Sequence, residues 1–553
     1  MKPVRRTSFA TLARGAAPLA LVFGVMASPA FAQTAAPAAG AAQDPAAEEE
    51  SIVVTGSLFR RTDTETPSPV TVLTADSLQK AGITTVADAI RSVSADSAGS
   101  IGIGFQSGFS AGGSAVSLRG LGVSSTLVLV DGLRSTNFPI SDDGHNAYVD
   151  LNSIPFSLID RVEVLKDGAS STYGADAIGG VVNLILKKQF VGVEGRAEAG
   201  ASQEGDAGHQ RISLTSGFGD YETQGWNFYI NGEYQQDGRV SAHSRGFPYN
   251  NRDLTAIGGN DNNSADNSLI TATPNAVVVR TTQTNLNNPL AGGTAPFAVG
   301  GVSTYTSLNL NCSNGTFTVT TGGAQGTGCK HNIEDEYFQL APLQRKWSIN
   351  GRLSVRVSDD IEGYITGSYS NSYVSILNAP RALRNTQPYG GAPALASSNP
   401  GIVLPVYICT SGINCATVGA PGRALNPNNP YAAAFAGDPA NGAARIYYLF
   451  GDILAGSDRT NEVYRFASGL HGTFGDDWTW KIDGVYAKDN LKIVQHGYLN
   501  IANTLNAINT GAYNFVNPSA NSAAVRNFIA PAVKLREVSG FRLGLPTKPR
   551  PTE

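Results

Sequence analysis

Apolar and polar residues alternate along several stretches of the chain beyond Val191. In one such stretch Trp226, Phe228 and Ile230 fall on one face, while Asn227 and Asn231 fall on the other. A period of two is typical of a β-strand with one polar and one apolar face, and each stretch has the ~10 residues of a bilayer-crossing strand. The segments with this pattern lie near residues 226–235, 346–357, 361–373, 464–474 and 478–486.

The connections between these predicted strands alternate in length. Ser358 to Asp360 and Gly475 to Asp477 are tight turns, whereas Gly238 to Leu343 and Leu377 to Ser457 are very long and are expected to be loops without strands. A soluble sandwich would also alternate, with its apolar face inward. Large aromatics near the strand ends and long loops at one end favour a membrane barrel instead.

The stretch before these strands predicts a small α+β domain. Val70 to Leu73 is strand-like, Thr74 can cap a helix over Ala75 to Ala81, and Thr85 can cap the next helix with Asp88 three residues on. Val86, Ala89, Ile90 and Val93 then form one apolar helix face. Further strands are expected at Val116 to Leu118, Thr126 to Val130, Arg161 to Leu165 and Val181 to Leu186.

The N-terminus has the pattern of a secretory signal peptide. A basic start with Arg5 and Arg6 precedes an apolar run from Leu19 to Ala27, and Ala30 to Ala32 reads as a cleavage site. A short membrane anchor is the alternative, although the apolar run is brief for spanning. We therefore predict a signal peptide over 1–32 and a flexible linker over 33–50, rich in alanine and proline and then acidic.

Composition narrows the function classes. The 553 residues carry a net charge of −4, which gives no electrostatic case for nucleic acid, and no central run of ~20 apolar residues predicts a membrane helix. Glycine patterns at Gly102 and Gly120 begin a dinucleotide fingerprint without completing it. We find no catalytic constellation, no metal site and no cofactor motif, so we predict that the protein is not an enzyme.

Four cysteines lie in the two long connections. An exported chain meets an oxidising compartment, so two disulfides are expected, and four cysteines allow three pairings. We favour Cys312–Cys329 and Cys409–Cys415, because each closes a local loop. A zinc site is the weaker interpretation, since no Cys-x-x-Cys pair occurs.

Five motifs stand in order over residues 52–183. Together they resemble the TonB box and plug domain of the TonB-dependent outer-membrane receptors. Each motif is weak alone, and their order makes the resemblance specific. The motifs are Ile52 to Gly56, Ser117 to Gly120, Leu127 to Gly132, Asp160 to Gly168 and Tyr173 to Asn183.

The resemblance implies a domain order: a TonB box at 51–57, a plug domain at 63–189 and an outer-membrane β-barrel from 190 to 553. Barrels of these receptors have about 22 strands, and this chain supplies about seven. We therefore expect an α+β plug followed by an incomplete transmembrane antiparallel barrel whose C-terminal part is missing. The protein is expected in the outer membrane of a Gram-negative bacterium, in contact with the lipid of that membrane.

The same resemblance assigns roles to residues. In the family, the energy-transducing protein TonB, which works with ExbB and ExbD, grasps the TonB box by pairing with its backbone. Plug arginines pair with barrel carboxylates, because guanidinium suits that contact. A glycine-rich loop, Gly99 to Gly113, lies where a ligand could approach the plug. The residues implied are Ile52, Val53, Val54, Thr55 and Gly56 for TonB, Arg119, Arg161 and Glu163 for the plug–barrel lock, and Phe105, Gln106 and Phe109 for the ligand.

Each of these assignments has a plain structural alternative. The TonB box could be the first strand of the plug, the arginines could form solvated surface pairs, and the glycine-rich loop could be disordered. For the whole chain, the resemblance implies energy-coupled uptake of an extracellular ligand. Ferric siderophores are the usual ligands of the family, and a carbohydrate or peptide ligand is also compatible with this sequence. The alternatives are a passive surface barrel or adhesin and a non-functional truncated receptor.

Overall fold

The structure is a computed structural model that describes residues 52–53, 61–62, 70–96, 98–102, 110–262, 268–283, 286, 292–383, 402–474, 478–544 and 550–551. Two short segments come first: Ile52–Val53 pairs antiparallel with Arg61–Thr62. Among the described residues, no helix has the length and apolar character needed to cross a bilayer.

Residues 70–186 form an α+β domain, which we call the plug after the resemblance above. Its sheet has the order β1-β4-β5-β2-β3, in which β5 and β2 are parallel and the other neighbours are antiparallel. The strands are β1 (Val70–Thr74), β2 (Thr126–Val130), β3 (Leu133–Arg134), β4 (Ile159–Leu165) and β5 (Gly180–Leu186), and the helices are α1 (Ala75–Lys80), α2 (Val86–Arg91) and the short Ser170–Tyr173.

The predicted helix starts of the plug are present. Thr74 accepts a hydrogen bond from the backbone of Ser77 at the start of α1. At the start of α2, Thr85 Oγ1 accepts from Asp88 N at 3.1 Å and donates to Asp88 Oδ2 at 2.7 Å. Ala89 and Ile90 of α2 are completely buried in the plug core. The apolar face that the sequence predicts for α2 therefore packs inward.

The predicted strand at Val116 to Leu118 is wrong. The segment makes only isolated bridges, through Ala115 and Leu118. Its backbone amides are satisfied by side chains instead: Ser117 N donates to Ser100 Oγ at 2.8 Å, and Leu118 N donates to Thr126 Oγ1 at 2.9 Å. Because these local acceptors replace a ladder partner, the segment is buried without joining a sheet.

Residues after the plug form a second sheet, which we call the wall. Its long strands follow one another as an antiparallel meander, and Arg550–Pro551 adds to the edge of one of them. The described part of the chain has eight of these long strands, close to the predicted number of about seven. The strands are β6 (Gly192–Gly200), β7 (His209–Phe218), β8 (Trp226–Asp237), β9 (Leu343–Ser358), β10 (Ile361–Asn378), β11 (Ala455–Phe474), β12 (Trp478–His496) and β13 (Val533–Gly544).

The two faces of the wall differ as predicted. In β11, Tyr464 and Phe466 are 41% and 49% exposed, whereas the flanking Val463 and Ala467, on the other face, are 6% and 1% exposed. The exposed face carries the large apolar residues, and the buried face lies against the plug and is rich in polar residues. Buried polar residues of the wall include Asn227, Asn231, Asn350, Ser354, Thr366 and Asn461. The large apolar side chains of the exposed face therefore point away from the protein interior.

The long connections of the wall are not plain loops. Residues 238–342, 379–454 and 497–532 all leave the wall at the same end, and their described parts pack together as what we call the loop body. Its main sheet has the order Thr316–Val319, Ala324–Cys329, Ser303–Ser307, Val277–Gln283, Ala443–Leu449 and Ala382–Leu383. Gly292–Pro296 and Val403–Leu404 join this sheet at its central strands.

The smaller elements complete the list. Val240–Ser241 pairs with Gln339–Ala341, and Tyr407–Ile408 pairs with Ala424–Leu425. The helices outside the plug are Tyr221–Gln224, Ile333–Tyr337, Ile501–Thr510 and Ala523–Ile529.

The expectation of strandless loops is wrong for a physical reason. Val277, Val278 and Val279 are each at most 2% exposed, so buried side chains lie on both faces of this strand. A strand buried on both faces shows no alternation of polar and apolar residues. Ala443–Leu449 is likewise buried along its whole length. The other strands of the loop body have two to six residues, which leaves little room for a period-two pattern.

Candidate functional site

The described site is the interface between the plug and the polar face of the wall. The turn after β2 makes one contact. Arg352 of β9 pairs with Asp131 through Nη1 and Oδ2 at 2.9 Å, and both side chains are largely buried. Arg465 of β11 donates to the carbonyl oxygen of Val130 at 3.1 Å. Two wall arginines therefore hold the same turn of the plug.

Asp131 also organises the plug itself. Its φ of +52° and that of Gly132 at +75° allow the tight turn between β2 and β3. Its other carboxylate oxygen accepts from Leu186 N at 2.9 Å, which ties the turn to the end of β5. A single carboxylate thus joins two plug strands to the wall.

A second contact surrounds Asp150. The Asp150 carboxylate accepts from Ser114 N at 2.9 Å and Asn152 N at 3.1 Å, and Asn461 of β11 approaches it at 3.4 Å. Burial raises the pKa of Asp150, although these hydrogen bonds oppose the shift. Lys346 of β9 donates to Asn152 Oδ1 at 2.6 Å. The wall therefore meets this plug segment with polar groups.

Two more wall arginines bind plug carbonyls. Arg459 donates to Ala111 O at 2.6 Å. Arg211 of β7 donates to Thr84 O, just before α2, and pairs with Glu233 of β8 at 3.0 Å. A cavity of about 40 Å³ lies beside this contact, lined in part by Thr84, Glu233 and Lys346. A polar cavity of this size has room for ordered water.

The lock residues named from the sequence have plug partners in the structure. Arg119, at φ +60°, pairs with Asp167. Arg161 Nε lies 2.9 Å from Glu163 Oε1 and its Nη1 lies 2.9 Å from Asp160 Oδ2, with the Glu163 side chain fully buried. These carboxylates belong to the plug, so pairing of Arg119 and Arg161 with barrel carboxylates stays a prediction.

The five contacts described above run in the opposite direction to the predicted lock, whereas Lys188, just after the plug sheet, pairs with Glu362 of the wall at 2.6 Å. Cations of the wall reach acceptors of the plug, and the sequence analysis did not assign them this role. The sequence contained a signal for these cations, because each occupies a polar-face position in a strand of alternating pattern. The residues are Arg211, Lys346, Arg352, Arg459 and Arg465.

Other predicted site residues fall differently. Ile52 and Val53 lie in the short pair with Arg61–Thr62. Val54, Thr55 and Gly56, together with Phe105, Gln106 and Phe109, lie outside the described residues. The structure bonds Cys312 to Cys329 and Cys409 to Cys415, with Cα atoms 5.2 and 5.1 Å apart, and both disulfides lie in the loop body.

Comparison with known proteins identifies the N-terminal domain. The family model described as TonB-dependent Receptor Plug Domain matches residues 62–181. Residues 62–181 are therefore similar to the plug domain of the TonB-dependent receptors. This domain is followed by the antiparallel wall, whose strands form an open sheet among the described residues.

The chain covers only part of the relatives that it matches. It is 31% identical over 148 residues to the iron-regulated outer membrane virulence protein of Vibrio cholerae, which covers 27% of this chain and 21% of that protein. The solved structure of a ferric enterobactin receptor mutant, PfeA of Pseudomonas aeruginosa, aligns with 78% of this chain and 41% of that one, at 14% identity and a TM-score of 0.38.

The siderophore receptor PiuA of Acinetobacter baumannii aligns with 81% of this chain and 49% of its own, at 16% identity and a TM-score of 0.33. This chain therefore spans about a fifth of the matched curated relative and less than half of these two solved chains.

Proposed function

We propose that this chain acts as a TonB-dependent receptor for uptake of an iron complex across the outer membrane. The observation that supports this most is the plug bound by cations to the polar face of the wall, while the apolar face of the wall is exposed. The polar contacts of the plug can be replaced by water when the plug is released. Smaller apolar contacts, such as those of Leu491 and Ile493 with the plug, add to the cost of release.

The proposed cycle begins with ligand at the loop body and the plug loop that contains Phe105, Gln106 and Phe109. Binding makes the segment Ile52 to Gly56 accessible in the periplasm. TonB, energised through ExbB and ExbD, adds this segment as a strand to its own sheet and pulls on the plug. No bond of the ligand is broken, so the protein binds and gates and does not catalyse.

An iron complex is the proposed ligand because the Vibrio cholerae relative is named as iron-regulated. The long connections fit other ligands too, so the test includes them. Labelled ferric siderophores, haem, vitamin B12 and oligosaccharides should be offered separately to cells that carry the receptor. Saturable binding of a ferric siderophore supports the proposal, and binding of an oligosaccharide alone contradicts the ligand class.

Deletion of Ile52 to Gly56 tests the coupling. We expect uptake of the bound ligand to stop while binding at the cell surface remains, because the deletion removes only the segment that TonB grasps. A five-residue deletion at 38–42 in the predicted linker is the matched control and should transport normally.

Unchanged uptake after the deletion of Ile52 to Gly56 would favour a passive barrel. Immunoblots of outer-membrane fractions must show equal amounts of both variants. Absence of the unaltered protein from those fractions would instead indicate a non-functional chain.

A further inference from the structure

One contact between the plug and the wall brings two carboxylates together. Asp150 of the plug and Asp489 of β12 are 2% and 1% exposed. Asn461 of β11 lies next to both, because its Nδ2 atom is 3.4 Å from Asp150 Oδ2 and 3.4 Å from Asp489 Oδ2. Elsewhere in this interface wall cations meet plug acceptors, as Arg352 meets Asp131. Here a carboxylate of the wall faces a carboxylate of the plug.

The two carboxylates differ in the hydrogen bonds that satisfy them. Asp150 Oδ1 accepts from the backbone amides of Ser114 and Asn152 at 2.9 and 3.1 Å. Asp489 Oδ1 and Asn461 Oδ1 are both buried and accept no hydrogen bond from the atoms that the structure describes. A buried acceptor without a donor is destabilising. The wall side of this contact is therefore short of a donor.

The wall cations around the pair bind other groups. Lys346 of β9 and Arg459 of β11 each donate to a different plug oxygen at 2.6 Å. The charge of Lys346 acts on Asp150 without forming an ion pair with it. The neighbouring charge that acts on Asp489 is the negative charge of Asp150. Two further cations of β12 occupy the opposite face of that strand, and they are Lys488 and Lys492.

The remaining elements packed against the pair are β13 and the plug. On β13 the register partner of Asp489 is Gly540, and the nearest charged position along that strand is Arg542. On the plug the titratable neighbours are Tyr148 and Asp142. Burial raises the pKa of Tyr148, so its hydroxyl stays neutral. Among the described side chains, these elements give the two carboxylates no ion-pair partner.

Water is kept from the contact on one side by an apolar cluster that joins β12 to the plug. Its members include Leu491, Ile493, Phe138 and Tyr148. Burial penalises an ionised carboxylate, and a second carboxylate beside it adds to the penalty. Burial accordingly raises the pKa of Asp150. Two ionised carboxylates at this contact therefore oppose docking of the plug on the wall.

A single proton removes both difficulties. It supplies the missing donor and leaves one negative charge, which the two backbone amides at Asp150 stabilise. A metal cation would also neutralise charge, but it requires a cage of oxygen ligands. Asn461 presents a nitrogen to both carboxylates, and Asp489 does not line the cavity beside Arg211. These observations favour a proton.

We propose that Asp150 and Asp489 bind one shared proton while the plug is docked on the wall and release it when the plug moves away. On release one O–H bond breaks, the proton passes to water, and both carboxylates become ionised and solvated. Docking takes up a proton, so it is strongest below the ordinary carboxyl pKa of about 4 and weakens as the pH rises above it. The weakening reaches at most about tenfold per pH unit and ends once the docked pair has ionised.

This proposal deepens the proposed function, because plug movement is the step that proton release would accompany. Its test needs no ligand, so it can fail while uptake is intact. Amide exchange is measured on the full chain in an ester-free detergent, from about pH 5 to about pH 8. Ser114 N reports on docking, since it donates to Asp150. Dividing by the intrinsic exchange rate at each pH gives a protection factor.

The test variant is Asp489→Asn, which keeps the shape of the side chain and cannot ionise. The matched control is Glu462→Gln, which neutralises a carboxylate next to Asn461 that instead accepts from Tyr369 Oη at 3.2 Å. Infrared spectra of the parent report the C=O band of a protonated carboxyl directly. This second measurement decides the question even if Asp489→Asn fails to fold.

In the parent we expect protection at Ser114 to fall as the pH rises, by up to about tenfold per pH unit, and the carboxyl band to disappear over the same range. Asp489→Asn should lose most of this dependence and the band, whereas Glu462→Gln should keep both. Protection that does not change with pH, or an Asp489→Asn variant that titrates like the parent, overturns the proposal. So does a dependence that vanishes when choline replaces sodium, because a sodium ion would then occupy the contact.

Discussion

Replacing Arg352 by methionine is expected to loosen the plug from the wall while both keep their folds. The substitution conserves side-chain length and leaves Asp131 buried without its cation. Breaking a buried ion pair from one side costs about 3–5 kcal/mol. Amide exchange should accelerate in the plug at the end of β5, where Leu186 N donates to Asp131.

Arg356 provides the matched control on the same strand. It pairs with Glu222 at 3.3 Å, with 35% and 68% of the two side chains exposed. A solvated pair of this kind contributes about 0–1 kcal/mol, so Arg356→Met should leave plug exchange unchanged. The double variant Asp131→Asn/Arg352→Met should recover part of the loss, since asparagine tolerates the positive φ and both members of the ion pair are replaced by neutral side chains. Equal exchange in Arg352→Met and Arg356→Met would show that this ion pair does not hold the plug.

Replacing Phe515 by alanine is expected to unfold the loop body while the wall remains. Phe515 is 1% exposed and contacts Tyr448 and Tyr513, with ring centroids 5.3 and 4.7 Å away. Truncating a buried phenylalanine costs about 3–5 kcal/mol. All three long connections contribute to this core, so one cavity should destabilise them together. Protease cleavage within 402–454 measures the effect, and ligand binding should fall with it.

Phe528→Ala is the control for that experiment. Phe528 lies in the helix Ala523–Ile529 and is 44% exposed, so the same truncation removes little buried surface. We expect cleavage of Phe528→Ala at the parent rate, and outer-membrane amounts of both variants should match. If Phe515→Ala resists protease as well as Phe528→Ala does, the loop body does not depend on this core.

The parts of the fold that the sequence predicts are those in which local chemistry decides the structure. Thr85 and Asp88 start α2 with contacts only three residues apart. The wall strands were predictable because one face meets an apolar and the other a polar environment, as Phe466 and Ala467 illustrate. Such signals survive in a single sequence because they depend on neighbours along the chain.

The parts that were missed depend on distant neighbours. Nothing near Val277 indicates that residues from all three long connections together cover the two faces of its strand. Likewise, the partner of Asp131 is 221 residues away, and only the fold brings Arg352 to it. The plug arginines attracted attention because they stand in recognisable motifs. The wall cations, by contrast, stand in strands whose pattern reports only which face they occupy.

Spin labels on the two faces of the wall test the account most directly. Single cysteines would be introduced by Ile349→Cys and Phe466→Cys on the exposed face, Thr366→Cys on the face against the plug, and Val418→Cys in the loop body as an aqueous reference. In outer-membrane vesicles we expect labels at 349 and 466 to be relaxed by oxygen and protected from a water-soluble nickel complex. Labels at 366 should be protected from both reagents. Nickel relaxation at 349 and 466 as strong as at 418 would place this face in water and contradict the membrane-spanning wall.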